Sequence, residues 1–169
     1  LKALNDYTIQ FVSLAQGTHH FEYEINNTFF EELDCNDFIN ASFHVDIEFI
    51  KQSTMMLLNF SFTGKIVVPC DRCLEDVSIP VAGLEKLIVK FGNNTLNDND
   101  DILILQEGEH ELNVAHYIYE FIELHIPHRK THKEGDCDEE TMKKLNELKV
   151  NKSSEDIDPR WSALKNFNN

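Results

Sequence analysis

The stretch Phe43-His44-Val45-Asp46-Ile47-Glu48-Phe49 alternates apolar and polar residues without a fault. A strand has a side-chain period of two, so this pattern places Phe43, Val45, Ile47 and Phe49 on one buried face. Met56, Leu58, Phe60 and Phe62 repeat the phase a few residues on, as the second arm of a hairpin would. Phe21, Tyr23 and Ile25 alternate likewise, as do Tyr7, Ile9 and Phe11. Gly64 and Pro69 punctuate a run through Ile66 and Val68. Val77–Val81 and Leu84–Phe91 read as two strands parted near Pro80 and Gly83, and Ile102–Leu105 as a short last one. Between them, residues 93–101 are too polar for any core. Phe29–Leu33 fits a single helical turn bridging two strands.

Helical spacing then takes over. Val114, Ala115, Ile118, Phe121 and Ile122 form one apolar stripe, with Asn113 as N-cap and Pro127 barring continuation. A further helix opens at Asp138, with Glu139 and Glu140 in its first turn and Lys143 and Lys144 beyond, an order that suits the helix dipole. The expected fold is α+β and mainly β: a small antiparallel β-barrel or two-layer sheet with C-terminal helices. It divides into a β-rich body at 1–127 with a packed helix at 113–124, a basic knuckle and helix at 128–150, and a polar linker with a short tail at 151–169. In that tail Asp158-Pro159 opens a piece carrying Arg160, Trp161 and Leu164.

Charge sharpens the division. The chain has 169 residues and a formal net charge of −15. Residues 1–127 hold 21 Asp/Glu against 6 Lys/Arg, whereas residues 128–169 hold 9 of each. Phosphate backbones are bound through Lys and Arg that displace counterions, so the acidic body is no general nucleic-acid surface and attracts basic proteins instead. The cationic cluster His128-Arg129-Lys130-Thr131-His132-Lys133, together with Arg72, is where RNA phosphates would be met, with Arg160 and Trp161 of the tail as a further contact for a partner. A solvated charged loop is the plainer reading of the same cluster.

The four cysteines, Cys35, Cys70, Cys73 and Cys137, are too few for a disulfide-built secreted domain. No apolar run reaches membrane-spanning length and no secretory leader is visible, so the expected setting is the cytoplasm. Cys70-x-x-Cys73 has the spacing of half a zinc site, which a closed structural centre completes with two more N or S ligands. His128 and His132 would make a Cys2His2 set; His132 and Cys137 would make Cys3His. Two free thiols on a structural turn are the alternative, and a redox pair a remote third, since Asp71 and Glu75 beside the motif would oppose a thiolate. No phosphate-binding glycine loop, nucleophile elbow or H-E-x-x-H is present, so no enzyme and no small-molecule substrate is expected.

Several segments occur together and in order: Cys70-Asp71-Arg72-Cys73-Leu74-Glu75, Val89-Lys90-Phe91-Gly92, Tyr119 to Pro127, Gly135-Asp136-Cys137, and Asp158-Pro159-Arg160-Trp161-Ser162-Ala163-Leu164. In these the chain resembles the YceD family. That resemblance implies a non-enzymatic accessory factor in large ribosomal subunit biogenesis, supporting accumulation of 23S ribosomal RNA. The partner would be a basic ribosomal protein or the precursor RNA. Many relatives carry extra cysteines after the Ile-Pro, where this chain has histidines and Cys137. The reading from a different class is a zinc-bearing structural adaptor, a protein-interaction module unrelated to ribosomes.

Overall fold

The computed structural model describes residues 3–92, 102–106 and 108–149. The loop at 93–101 and the tail with Arg160 and Trp161 lie outside the described residues. Ten elements follow along the chain: β1 (Thr8–Ile9), β2 (Gly17–Asn26), α1 (Asn27–Glu32), β3 (Asn40–Lys51), β4 (Met55–Pro69), β5 (Asp76–Phe91), β6 (Ile102–Leu105), β7 (Leu112–Asn113), α2 (Ala115–His125) and α3 (Glu139–Leu148). Short 3-10 turns at Ala3–Tyr7 and Phe11–Ser13 flank β1.

Strands β2 to β6 form one sheet in sequence order, and β1 pairs with β7 in a separate small ladder. The alternating segments sit in the expected phase: Val45↔Phe62 and Ile47↔Phe60 are opposite each other in the β3–β4 hairpin. Phe43, Val45, Ile47, Phe49, Met56, Leu58, Phe60 and Phe62 are all fully or almost fully buried. Removing this much apolar surface from water is the main stabilising contribution, at about 25 cal/mol per Å².

Four expectations are corrected. The sheet does not close into a barrel, because β2 and β6 remain its two edges. Closure is not needed to bury the apolar face, which α2 covers instead: Ile118 and Ile122 are buried and Phe121 meets Phe60 edge-on at 5.0 Å. The sheet is also not wholly antiparallel, since β6 runs parallel to β5, with Ile88 opposite Ile102. Val77–Val81 and Leu84–Phe91 belong to one continuous strand. Pro80 is tolerated there because β6 pairs only with Ile88–Phe91, so among the described residues the strand has β4 alone as neighbour at Pro80 and no second ladder asks for its missing N–H. Gly83 is not a break but a gap in the side-chain layer, into which the His125 ring packs. Finally, the Tyr7–Phe11 alternation is mostly 3-10 turn rather than strand. Lys51 Nζ ties this segment to the sheet through the carbonyls of Phe11 and Leu14, both at 2.8 Å.

The helix starts follow their capping chemistry. Asn113 lies in β7 rather than in α2, yet its Oδ1 accepts the Ala115 N–H at 2.9 Å, so it satisfies a first-turn donor from one residue further out. Asp138 caps α3 by accepting the Thr141 N–H at 2.7 Å. No α3 residue is fully buried, and Met142 supplies its contact with the core.

Candidate metal centre

Strand β4 ends at Pro69, where the next ring lacks a donor to continue the ladder, and Cys70-Asp71-Arg72-Cys73 turns the chain back into β5. The Cys70 N–H still bonds the Glu75 carbonyl at 2.8 Å, and the Leu74 N–H bonds the Cys70 carbonyl at 3.0 Å. That tight closure requires Leu74 in the left-handed region, at φ 64°. A non-glycine residue there is strained.

After α2, Pro127 stops the helix and the chain crosses to this turn. The Asp71 N–H donates to the Lys130 carbonyl at 2.8 Å, and the Lys130 N–H returns a bond to Asp71 Oδ2 at 2.6 Å. Arg72 Nη2 donates to the His132 carbonyl at 2.6 Å. These three bonds fix the knuckle against the turn and carry His132 and Cys137 to the two cysteines. His132 Nδ1 then lies 3.4 Å from Cys73 Sγ and 4.0 Å from Cys137 Sγ, and Cys70 Sγ lies 4.0 Å from Cys137 Sγ.

Three sulfurs and one imidazole nitrogen thus fall within 4.8 Å of one another. Zn–S bonds of about 2.3 Å and a Zn–N bond of about 2.0 Å in tetrahedral geometry put donors roughly 3.5–3.8 Å apart. The three edges given above, 3.4, 4.0 and 4.0 Å, lie within about half an ångström of that range. His132 Nε2 is 3.2 Å from the Asp76 carbonyl, which can only accept, so Nε2 carries a proton and Nδ1, once relieved of its own, would be the donor to a metal.

The protonic state follows the same geometry. Burial pushes the Cys70 thiol up, but the N–H groups of Cys73 and Arg72, together with bonds from His132, outweigh it and hold Cys70 at about 5. Asp71, expected to oppose a thiolate, directs its carboxylate to the Lys130 N–H and is not among the chief influences on Cys70. His132 is raised, chiefly by its bond to Cys70. Cys137 is pushed up to about 11 by burial and by bonds to Cys73 and Cys70. This is a cluster holding protons where a dication would replace them.

Zinc with three thiolates and one neutral imidazole carries a net charge of −1, which is costly to bury uncompensated. Arg72 stands beside it. The guanidinium charge favours the Cys137 thiolate, and Arg72 and Cys137 line one groove of about 290 Å³ against α3. Arg72 Nε is buried without a hydrogen-bond partner among the described residues. An unpartnered cationic donor at the rim of three sulfurs fits an anionic zinc–thiolate centre better than a neutral one.

The remaining sequence candidates are placed as follows. His128 is exposed and is not in the cluster. Arg129 and Lys133 are exposed, and Lys130 is half-buried, its backbone held by Asp71. Cys35 sits apart, its thiol 3.8 Å from Glu123 Oε1. All four cysteines are buried and free. The spacing of Cys70 and Cys73 pointed to half of the centre; Arg72 as its neighbouring cation was not foreseen, although its place inside the C-x-x-C was the signal.

No helix among the described residues is long and apolar enough to cross a membrane. Comparison with curated proteins and with solved structures yields no match. The family described as Large ribosomal RNA subunit accumulation protein YceD matches residues 58–168, from early in β4 through the cysteine turn, α2, the knuckle and α3 to the tail. With most of the chain and the whole Cys3His arrangement inside that match, the chain belongs to the YceD family.

Proposed function

We propose that this protein is a non-enzymatic accessory factor of large ribosomal subunit biogenesis that acts in the cytoplasm by binding a basic ribosomal protein, with its knuckle available to precursor-RNA phosphates. The observation that carries the reading is the Cys3His cluster, which joins a body rich in carboxylates to the cationic knuckle. In it Cys70, Cys73, His132 and Cys137 hold one structural zinc, which supplies rigidity and no chemistry on a substrate. The four donors are protein ligands, so the centre is closed, as structural zinc sites are. The division of labour assigned to residues 1–127 and 128–150 then has a physical basis: opposite charge preferences held at fixed geometry by one metal. Arg129 and Lys133 face solvent and are free to meet phosphate; Arg72 is committed to the His132 carbonyl and contributes to such a contact only indirectly. Arg160 and Trp161 extend the partner contact from the tail.

The test is depletion in cells combined with in-cell crosslinking. The expected result is a fall in mature large-subunit RNA relative to small-subunit RNA, with a basic ribosomal protein crosslinked to the body and short precursor-RNA tags on the knuckle. Unchanged large-subunit RNA, with neither class of crosslink, overturns the proposal.

A further inference from the structure

One face of the five-stranded sheet packs against α2; among the described residues the other is open, and its charges are largely segregated. On β2 and β3 it carries Glu22, Glu24, Asp46 and Glu48, whereas the lysines of this face, Lys65, Lys86 and Lys90, stand on β4 and β5. Glu22 is directly opposite Asp46 in the ladder. Like charges at directly opposed positions destabilise a sheet, so the free protein holds an unfavourable pair that a cation would relieve. The fold relieves it only in part: His44 reaches Glu24 at 2.7 Å and Asp46 at 3.3 Å. Glu22 makes neither of these two contacts and is eased only by the field of the His44 ring.

The acidic strip also lies on an edge. β2 is the outermost strand, ten residues long and paired only with β3 among the described residues. Its outward N–H and C=O groups form a template for one more strand. On its core side Phe21 and Tyr23 are left half-buried at the margin, although β3 beside them buries Val45, Ile47 and Phe49 completely. The edge therefore offers two complementary rows in period two, carboxylates on one face and unfinished aromatic packing on the other. A groove of about 480 Å³ with His20, Asp46 and Glu48 in its wall continues the strip over the sheet.

We propose that β2 takes an extended protein segment as a sixth strand, with Lys or Arg at alternate positions against Glu22 and Glu24 and apolar residues between them covering Phe21 and Tyr23. This rests on the reading that the acidic body binds a basic protein, and it names the place and the chemistry. A second copy of the chain is the wrong occupant, since β2 holds no Lys or Arg to meet Glu22 and Glu24, and the registers that pair the middle of the strand with itself set glutamates against glutamates. RNA is the wrong occupant for the same electrostatic reason.

The probe is a short synthetic peptide alternating lysine and valine, compared with one of equal composition carrying its lysines in a block and with one alternating glutamate and valine. Amide hydrogen exchange of the full chain, followed by NMR, reads the site. The alternating lysine peptide is expected to protect the backbone amides of Phe21–Ile25, to bind more tightly than the block peptide, and to weaken with salt. The double variant Glu22→Lys/Glu24→Lys is expected to lose roughly tenfold in affinity at low salt, and the milder Glu22→Gln/Glu24→Gln less. Binding that protects amides elsewhere, or that ignores both double variants, overturns the placement at β2 while leaving a basic partner in place. A wild-type chain indifferent to every cationic peptide overturns the basic-partner reading as well. Protection of β2 by a second copy or by an RNA oligonucleotide overturns the choice of occupant.

Discussion

Gly83 is a point of close approach between α2 and the sheet, and replacing it with alanine tests how the helix positions the knuckle. A Cβ at Gly83 would stand 2.5 Å from His125 Cδ2, 2.6 Å from His125 Nε2 and 2.5 Å from Phe62 Cζ. Carbon contacts settle near 3.5–4.0 Å, so about an ångström must be found. Phe62 is buried and its ring packs edge-on against His125 at 5.1 Å, which leaves the His125 ring as the part that moves. Moving it strains the bond from its Nδ1 to the Phe121 carbonyl at 2.9 Å, one turn back along α2. Overpacking of this kind costs about 1–3 kcal/mol, while alanine in place of glycine within a strand regains about 0.5–1 kcal/mol. The expected net loss is about 1–2 kcal/mol, or roughly 2–8 °C in Tm for a chain of this size. Urea unfolding of Gly83→Ala, His125→Ala and the double variant forms a cycle. If the two side chains collide as described, the glycine substitution costs about 1 kcal/mol less when His125 is already alanine. A neutral Gly83→Ala, or strictly additive losses, refutes the reasoning. Gly64→Ala is the harsher control, because its Cβ would run into the Ser42 carbonyl and the Phe43 ring, and a backbone atom cannot swing aside.

Three other outcomes are expected. Leu74→Gly should stabilise the protein by about 0.5 kcal/mol in urea unfolding, since it removes the left-handed penalty from a side chain that is 78% exposed and packs little. Arg72→Leu should lower zinc affinity in a competition with a chromophoric chelator, and Arg72→Lys should recover part of the loss, because the charge beside the thiolates is kept and the bond geometry is not. His44 should titrate above the ordinary imidazole range by NMR, raised first by its bond to Glu24 and then by the fields of Asp46 and Glu22, and Glu24→Gln should bring it down. The sign for stability follows: the contribution of protonated His44 is complete below the unfolded imidazole value and disappears as the pH rises through the folded one.

How far the residues foretold the molecule depended on whether a pattern was local. The β3–β4 hairpin was legible because both arms keep period two and the apolar residues of that phase, Phe43 to Phe49 and Met56 to Phe62, are buried. The α3 start was legible because Asp138 and the two glutamates after it follow helix-end electrostatics. β5 was misread as two strands because Pro80 and Gly83 usually interrupt a ladder; here one lies where the strand has a single neighbour and the other admits His125. Closure of the sheet could not be read at all, since apolar strand faces serve a barrel or a helix-covered sheet equally well. The Cys3His cluster was half legible. Cys70 and Cys73 announce a pair, but the choice between His128 and Cys137 rests on bonds from Asp71 and Arg72 that span about sixty residues of chain. The acidic edge was visible only as net charge, because the opposition of Glu22 to Asp46 exists only once the register is known.

The central claim is a Cys3His zinc centre built from Cys70, Cys73, His132 and Cys137, and metal content measures it directly. Protein purified without chelator should hold about one zinc per chain, and so should His128→Ala, whereas His132→Ala and Cys137→Ser should each lose it or bind it far more weakly. A metal-free wild type, or zinc kept by Cys137→Ser and lost by His128→Ala, would contradict the account.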